Sequence, residues 1–430
     1  VEFAEALLAE SATVNLDALG GRSLGERKRG EILYEWCCAY YGGKENQSQR
    51  QNIYRAPPRL VGPYAEGDVD LPFRVIEKQW SRLQSEDLTD LFEMECKHIY
   101  LIVEMRFAGV RLNLEHAEYM LEYLTKEIDD LDRQIANVVG FPINTNAAGS
   151  VAEAFDKLGL TYGRTEKGAP SFTKDFLSTV EHPISELILE KRGRDKLRGT
   201  FVQNYLLKSH VNGRLHGSFN QLRGDDGGAR SGRLSSSTPN LQNIPFRSAT
   251  GKVVRESFIP DEGHVRWRKI DYSQVEYRGL AHYAVGPGSE NLRDRYCLYP
   301  DIDFHEMVKN IIHEVAGILL DRPLVKNVNF GTIYGMGLRK LARYLKLSPG
   351  QAKELFEAIH GAAPFMRATM DHVMEEAGKL GYITTILGRR SRFDLWVPGH
   401  YDEDAIPLPY ERAVLQYTNI QRAYLHKALN

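Results

Sequence analysis

Four residues in the segment 322–335 recur at steps of four, which is the spacing of an α-helix. They are two cations followed by two aromatic residues: Arg322, Lys326, Phe330 and Tyr334. Each step of four turns a helix by about 400°, so the four side chains share one face along about 18 Å. The spacing therefore predicts a helix with a basic end and an aromatic end, and Asp321 is placed to cap it.

A nucleoside triphosphate has matching chemistry, with anionic phosphates at one end and a flat base at the other. The free N–H groups and the dipole of a helix N-terminus add to the attraction for phosphate. The alternative interpretation is a basic amphipathic helix with two aromatic residues in the core. Gly331 and Gly335 disfavour this alternative, because each glycine costs about 1 kcal/mol in a helix interior.

A second segment, 264–276, supplies a carboxylate that could bind a metal ion. Residues 264–270 have the composition of a half-buried strand, Asp271 follows, and a helical pattern begins near Glu276. A carboxylate between a strand and a helix is a rigid ligand for a divalent cation. Ser273 and Glu276 also fit an S-x-x-E capping box, which is the purely structural interpretation of Glu276.

Three segments together resemble those of one protein family. DYSQVE at 271–276 and RPLVKNVNFGTIYG at 322–335 resemble motifs A and B of the family A DNA polymerases. SGRLSSSTPNLQNIP at 231–245 resembles the template-primer binding segment of the same family, and the three occur in family order. Through this resemblance the chain is identified as a member of that family, nearer to its phage-type members.

The resemblance implies an α+β fold. The expected architecture is the right-hand polymerase with palm, fingers and thumb, preceded by part of an RNase H-like 3′–5′ exonuclease domain. The expected boundaries are 1–80 for the C-terminal part of the exonuclease domain, 81–215 for a linker and the thumb, 216–289 for the palm with motif A, 290–390 for the fingers with motif B, and 391–430 for an incomplete return to the palm. Palm strands are expected at 214–222 and 252–271, and a long amphipathic helix at 114–137.

The sequence also resembles parts of motifs that continue beyond it. Tyr64 and Asp68 match the last exonuclease motif, Y-x3-D, whereas the other carboxylates of that site have no counterpart in the first sixty residues. Motif C, which carries the second metal-binding Asp of the polymerase, would lie beyond residue 430. The acids of the segment 400–403 are expected to be solvated. The chain is therefore expected to be cut at both ends.

The resemblance implies template-directed transfer of a nucleotidyl group from a dNTP to a primer 3′-OH. Two Mg²⁺ ions, which Mn²⁺ can replace, are the implied cofactors. Asp271 and the carbonyl of Tyr272 are the expected polymerase ligands, and Asp68 is the expected exonuclease ligand. Arg322 is expected to neutralise the triphosphate, and Lys326 to do so while also acting as general acid on pyrophosphate.

The remaining implied roles concern recognition of dNTP and DNA. The expected dNTP-binding residues are Gln274, Glu276, His305, Arg322, Lys326, Phe330 and Tyr334, with Glu276 excluding a 2′-OH and Phe330 packing on the sugar and base. Tyr334 is expected to stack where the templating base enters. The expected primer-template contacts are Arg233, Asn240, Gln242, Asn243, Lys196 and Asn430. Arg233 is expected to donate to the minor-groove acceptors that every correct base pair presents, and so to respond to base-pair geometry.

Composition limits the partners and the compartment. A net charge of −2 gives no global basic field, so the basic residues that could contact DNA are local, as in the segment 191–198. Four cysteines without metal-binding spacing suit a reducing cytosol, bacterial or of a phage-infected host. No apolar run approaches the roughly 20 residues of a membrane span. The expected partners are primer-template DNA and dNTPs, with no membrane, and the protein is expected to be a monomer.

Two alternatives remain open at this point. The chain could be a non-catalytic protein that binds primer-template DNA, because one metal-binding carboxylate is missing from it. A single-subunit RNA polymerase would share motifs A and B, but it is not expected to keep Glu276 together with the aromatic residue Phe330. Primer extension by the intact gene product separates these alternatives.

Overall fold

A computed structural model describes residues 1–10, 12–28, 30–222, 231–245, 249–317, 319–333, 336–380 and 382–392. Contacts divide the chain into two compact units. Within the described ranges, the first unit comprises residues 1–97, 231–233 and 270–392, and the second comprises 98–222 and 234–269. The domain boundaries predicted from the sequence stay predictions.

Most of the described residues are helical. The α-helices are α1 (Glu2–Leu8), α2 (Leu16–Leu24), α3 (Glu31–Tyr41), α4 (Pro58–Ser85), α5 (Thr89–Ala108), α6 (Leu114–Val139), α7 (Ala148–Lys157), α8 (Lys174–Leu177), α9 (Pro183–Lys196), α10 (Ala249–Arg255), α11 (Val275–Tyr283), α12 (Ser289–Leu298), α13 (Phe304–Ala316), α14 (Arg322–Ile333), α15 (Leu338–Leu345), α16 (Pro349–Ala362) and α17 (Pro364–Leu380). Two 3₁₀ helices span Gln47–Arg55 and Leu241–Asn243, and a π-helix spans Leu197–Lys208. None of the described helices combines the length and apolar composition needed to cross a bilayer.

The described strands are short and pair in antiparallel twos. They are β1 (Val110–Arg111), β2 (Gly163–Arg164), β3 (Pro170–Ser171), β4 (Arg214–Leu215), β5 (Ser218–Asn220), β6 (Ser235–Ser237), β7 (Tyr382–Thr384) and β8 (Arg390–Arg392). β1 pairs with β4, β2 with β3, β5 with β6, and β7 with β8. The fold is therefore α+β, as expected, with helices as the main component.

The strand predicted over 252–271 is wrong. Residues 249–255 form α10, and residues 264–271 are irregular. The side chains of Val265 and Ile270 are 90% and 92% exposed. A strand needs a neighbour to satisfy its backbone N–H and C=O groups, and no described residue forms a ladder with 264–270.

The predicted amphipathic helix is confirmed as α6 in the second unit. Its buried side, which includes Leu124, Ile128, Leu131 and Ile135, packs against α9 and the π-helix that continues from it. Apolar residues at steps of three and four place these side chains on one face of the helix. Beyond the end of α6, an aromatic cluster surrounds Phe155, which is fully buried.

Replacing Phe155 with alanine should destabilise the second unit by about 3–5 kcal/mol, because the large buried ring would leave a cavity. The ring of Phe155 lies 4.8 Å from that of Phe172, so the aromatic cluster would lose its centre. Urea unfolding measures the effect. Phe73→Ala makes the same chemical change at a side chain that is 67% exposed, and it should leave stability nearly unchanged. Equal effects from the two substitutions would contradict the prediction.

The core of the first unit around motifs A and B joins α11, α13, α14 and α16. Buried residues from these helices, including Tyr277, Phe304, Val328 and Leu355, form one apolar cluster. Because α11 follows motif A and α14 contains motif B, this cluster fixes the two motifs relative to each other. The site described next is built on its edge.

Candidate active site

The helix predicted from the four-residue spacing is confirmed as α14, which begins at Arg322. The side chain of Asp321 accepts a hydrogen bond from the backbone N–H of Leu324 at 3.1 Å, so the predicted cap is present. Arg322 and Lys326 are exposed, whereas Val325 and Val328 are fully buried. The two cations therefore project from the same helix side, away from the core.

Gly331 has a packing role in this helix. A Cβ atom at that position would lie 2.6 Å from the Cε atom of Met336, which is too close for two carbon atoms. Met336 is itself 8% exposed and belongs to the core of the first unit. The glycine therefore lets the chain after α14 pack against the helix, which offsets its low helix propensity.

Asp303 organises the start of α13, and sequence reasoning missed it. Its side chain accepts a hydrogen bond from the backbone N–H of His305 at 2.9 Å and therefore caps the helix. It also accepts hydrogen bonds from Nη2 and Nε of Arg322, at 2.8 and 3.1 Å. Burial acts to raise the pKa of Asp303, but Arg322 and the backbone N–H of His305 outweigh it, and the pKa lies below its usual range. An Asp immediately before the first apolar residue of a helical pattern, here Phe304, was the available signal.

His305 lies in the first turn of α13 and is almost fully buried. Nδ1 of its ring is 2.9 Å from Nδ2 of Asn329 on α14. Burial lowers the pKa of His305 below its usual value; Asp303 and Glu276 act to raise it, and the positive charges of Arg322 and Lys326 act to lower it. The net shift is downward, so the neutral form of the ring is favoured.

The first part of motif A, residues 271–274, has an irregular backbone conformation. Asp271 and Tyr272 are exposed, and α11 begins at Val275 without a side-chain cap. The predicted capping box between Ser273 and Glu276 is therefore wrong. The reason is Gln274, the residue before the helix, which has a φ of +52° and lies in the left-handed region. Such a conformation differs from the extended one that a capping residue adopts.

The side chain of Gln274 holds the chain in this unfavourable conformation. Its Nε2 donates to the carbonyl of Ile302 at 2.7 Å, and its Oε1 accepts from the hydroxyl of Tyr296 at 3.3 Å and from the backbone N–H of Phe304 at 3.4 Å. Burial raises the pKa of Tyr296 to about 12, so its hydroxyl stays protonated and able to donate. These bonds tie motif A to the N-terminus of α13 and offset a backbone cost of about 1–3 kcal/mol.

The structure thus gathers several of the predicted dNTP-binding residues in the first unit. Gln274 bonds directly to the start of α13, and the charges of Glu276, Arg322 and Lys326 all act on His305. Tyr334, Asn430, the segment 400–403 and the side chain of Phe330 lie outside the described part of the chain. Arg233 belongs to the first unit and is exposed.

The other predicted DNA contacts belong to the second unit. Asn240 caps the short 3₁₀ helix that contains Gln242 and Asn243, and Gln242 donates to the carbonyl of Leu234 at 3.0 Å. Asn243 is exposed. These polar side chains therefore lie on a short helix with a defined N-terminus.

Most cations of the segment 191–198 are engaged within the second unit. Lys191 and Arg194 pair with carboxylates, and Arg192 donates to the carbonyls of Thr145 and Phe172. Lys196 is exposed and forms no ion pair with the residues that the structure describes. It is consequently the cation of α9 that is best placed to meet a phosphate.

The exonuclease-like pair lies one turn apart on α4. Lys28 places its Nζ 2.8 Å from Oδ1 of Asp68 and 5.6 Å from the ring centroid of Tyr64. Burial, followed by a hydrogen bond with Tyr34, raises the pKa of Tyr64 far above its usual value. A metal ion at Asp68 would have to compete with this ammonium group.

The donor set for a divalent metal is incomplete in the described residues. Asp271 and the carbonyl of Tyr272 offer oxygen atoms, which is the ligand type that Mg²⁺ prefers. However, no group of three or more His, Cys, Asp or Glu side chains suitable for a metal ion occurs among the described residues. The described residues therefore fit Mg²⁺ in kind but are too few for a two-metal site.

Comparison with known proteins assigns the chain to a family. A model of DNA polymerase family A matches residues 114–404. The chain is 30% identical over 461 residues to a DNA-directed DNA polymerase of Pseudomonas phage M6, covering 94% of this chain and 67% of that protein. It is 29% identical over 422 residues to DNA polymerase DpoZ of Salmonella phage PMBT28, covering 88% and 66%. The chain belongs to DNA polymerase family A.

Bacterial and structural relatives agree with this assignment. Thermostable DNA polymerase I of Thermus filiformis is 35% identical over 346 residues, covering 77% of this chain and 40% of that protein. The chain thus spans about two thirds of the two phage relatives and less than half of this bacterial one. The POL domain of Pol1 from M. smegmatis, solved in complex with DNA primer-template and dNTP, superimposes with a TM-score of 0.73 at 26% identity, covering 100% of this chain and 68% of the solved one.

Proposed function

We propose that the full-length protein catalyses template-directed DNA synthesis. The observation that carries this proposal is the pair of exposed cations on α14, Arg322 and Lys326, of which Arg322 bonds to Asp303 at the N-terminus of α13. Cations and a helix N-terminus together form a site for a polyphosphate. The family assignment and the phage relative named as a DNA-directed DNA polymerase support the same reaction.

In the proposed reaction, the primer 3′-oxygen attacks the α-phosphorus of the dNTP, and the bond from that phosphorus to the pyrophosphate oxygen breaks. The proton of the 3′-OH leaves to solvent, and Lys326 gives a proton to the departing pyrophosphate. Arg322 is held by Asp303 through two hydrogen bonds, so its guanidinium has a fixed place near the phosphates. Catalysis of this kind depends mainly on positioning and charge neutralisation.

Asp271 and the carbonyl of Tyr272 would hold Mg²⁺ together with ligands beyond the described residues. When bound, the two ions would stabilise the negative charge on the attacking and leaving oxygens. Other residues of this chain would act by holding the reacting groups in position. Gln274 would hold the phosphate-facing end of α13, and Glu276 would fill the space that a 2′-OH requires.

The proposed DNA contacts follow the same reasoning. Arg233 would reach minor-groove acceptors, while the 3₁₀-helix residues and Lys196 would contact the primer-template backbone, which supplies most of the affinity. Phe330, Tyr334 and Asn430 keep their predicted roles at the sugar, the templating base and the primer-template. We place the reaction in the bacterial or phage-infected host cytoplasm, carried out by a monomer.

Primer extension by the purified full-length gene product tests the proposal. We expect a labelled primer to grow along its template when dNTPs and Mg²⁺ are present, and not when rNTPs replace the dNTPs. Binding of primer-template without extension would support the non-catalytic alternative, and growth with rNTPs would support an RNA polymerase. Degradation of a 3′-labelled single strand in the same preparation tests the exonuclease prediction made for Tyr64 and Asp68.

Glu276→Ala should raise ribonucleotide incorporation by roughly tenfold or more, because it would vacate the space proposed to reject a 2′-OH. Phe330→Tyr should weaken discrimination against dideoxynucleotides, since the added hydroxyl can replace an interaction that the missing 3′-OH would make. Competition between rNTP, ddNTP and dNTP measures both effects.

Glu290→Ala is the matched control for the first substitution, because Glu290 occupies the first turn of the neighbouring helix α12 and is exposed. It should leave sugar selectivity unchanged. If Glu276→Ala also left it unchanged, the sugar pocket would lie elsewhere.

A further inference from the structure

A buried hydrogen bond joins His305 to Asn329, a residue to which no role has been assigned so far. Asn329 lies on α14 and is 2% exposed, and His305 is 4% exposed. Their Nδ2 and Nδ1 atoms are 2.9 Å apart. Asparagine is seldom buried, and a buried side-chain amide needs partners for its polar atoms. The bond therefore specifies how the two helices meet at this point.

Two further contacts constrain His305, one at its backbone and one at its ring. Its backbone N–H is held by Asp303, and its edge meets the ring of Tyr277 at 4.8 Å between centroids and 85° between planes. Asp303 thus holds the backbone of His305, while Tyr277 on α11 and Asn329 on α14 contact the imidazole itself. These contacts restrict the orientation of the ring, and the next question is which ring nitrogen carries its proton.

The chemistry of the two side chains determines that position. A neutral imidazole carries one proton, on Nδ1 or on Nε2. An amide N–H that donates to Nδ1 requires Nδ1 to be the acceptor, so the proton must lie on Nε2. The reversed amide, with its oxygen facing Nδ1, would require the proton on Nδ1 and leave Nε2 without one.

We propose that Asn329 is a positioning residue that holds His305 as the Nε2–H tautomer, so that Nε2 can donate a hydrogen bond to the triphosphate of the dNTP. The Nε2–H group of His305 can donate to a phosphate oxygen while the ring neither gains nor loses a proton. The ligand in this proposal rests on the proposed function, whereas the tautomer and its dependence on Asn329 do not. The two parts can therefore be tested separately.

The first test is the tautomer itself, measured without any ligand. The full-length protein is labelled with ¹⁵N-histidine, and long-range ¹H–¹⁵N spectra are recorded at neutral pH, with His305→Gln to assign the signal. We expect His305 to be protonated on Nε2 in the wild type. Asn329→Asp should move the proton to Nδ1, because a carboxylate can only accept. Protonation on Nδ1 in the wild type, or an unchanged tautomer in Asn329→Asp, would overturn the proposal.

The second test is steady-state primer extension. Asn329→Asp should raise KM for dNTP by about tenfold and change kcat much less, because the phosphate contact is present in both ground and transition states. Asn327→Ala is the matched control, since Asn327 lies on the same helix, is exposed, and donates to Tyr344 at 2.7 Å. It should leave both the His305 spectrum and KM unchanged.

Thermal melting of each variant shows whether it is folded. If Asn329→Asp does not fold, the wild-type spectrum alone decides the tautomer. If the wild-type protein shows the expected tautomer but does not extend a primer, the proposed function is wrong, whereas the positioning role of Asn329 is supported. If Asn329→Asp folds, has the reversed tautomer and keeps a normal KM for dNTP, His305 does not contact the triphosphate.

Discussion

Asp271→Ala in the full-length protein should reduce primer extension to below about a tenth of the wild-type rate, because it removes a carboxylate ligand for the proposed metal ions. Primer-template binding should change by less than about twofold, since affinity for DNA depends mainly on contacts to phosphates elsewhere. Single-turnover extension and DNA titration, both at one fixed salt concentration, measure the two quantities.

The control is Asp371→Ala, which removes an exposed carboxylate from α17 and should leave extension unchanged. Asp271 is itself exposed and lies in an irregular segment, so its loss is not expected to unfold the protein. Retention of more than about a tenth of the wild-type rate would mean that another carboxylate binds the metal ions.

Lys326→Ala should lower kcat by about 10²–10⁴-fold, the range that general acid catalysis contributes. It should also raise KM for dNTP, because one of the two exposed cations of α14 is lost. Lys326→Arg separates the two effects: the guanidinium keeps the charge but does not release its proton, so KM should recover while kcat stays low.

Steady-state primer extension with each dNTP measures kcat and KM. Lys353→Ala is the matched control, because Lys353 is an exposed lysine on α16 and should be dispensable. If Lys326→Arg restored kcat fully, Lys326 would act through its charge alone, and the general-acid role would be wrong.

Local sequence patterns predicted the helices well. The steps of four in 322–335 predicted α14, and Asp321 caps it through Leu324 as expected. The apolar periodicity of 114–137 predicted α6 with its buried side. Helical patterns are readable because the hydrogen bonds of a helix are made within the segment itself.

The failures concern features that depend on distant residues. Residues 264–270 have the composition of a strand, yet strand formation requires a neighbour to pair with, which composition does not specify. The expected capping box failed because Gln274 bonds to Ile302, Tyr296 and Phe304, about 22 to 30 residues away in sequence. Those bonds favour a local backbone conformation that capping rules do not include.

The sequence by itself determined the family, the order of its motifs and the residue types that a phosphate-binding helix requires, because each of these is carried by spacing along the chain. Only the tertiary structure decided that Asp303 holds Arg322, that Asn329 bonds to His305, and that Lys28 pairs with Asp68. The partners in these pairs are separated by 19, 24 and 40 positions. Their contact depends on how the helices pack, and helix packing is set by the buried apolar surfaces of all the elements together.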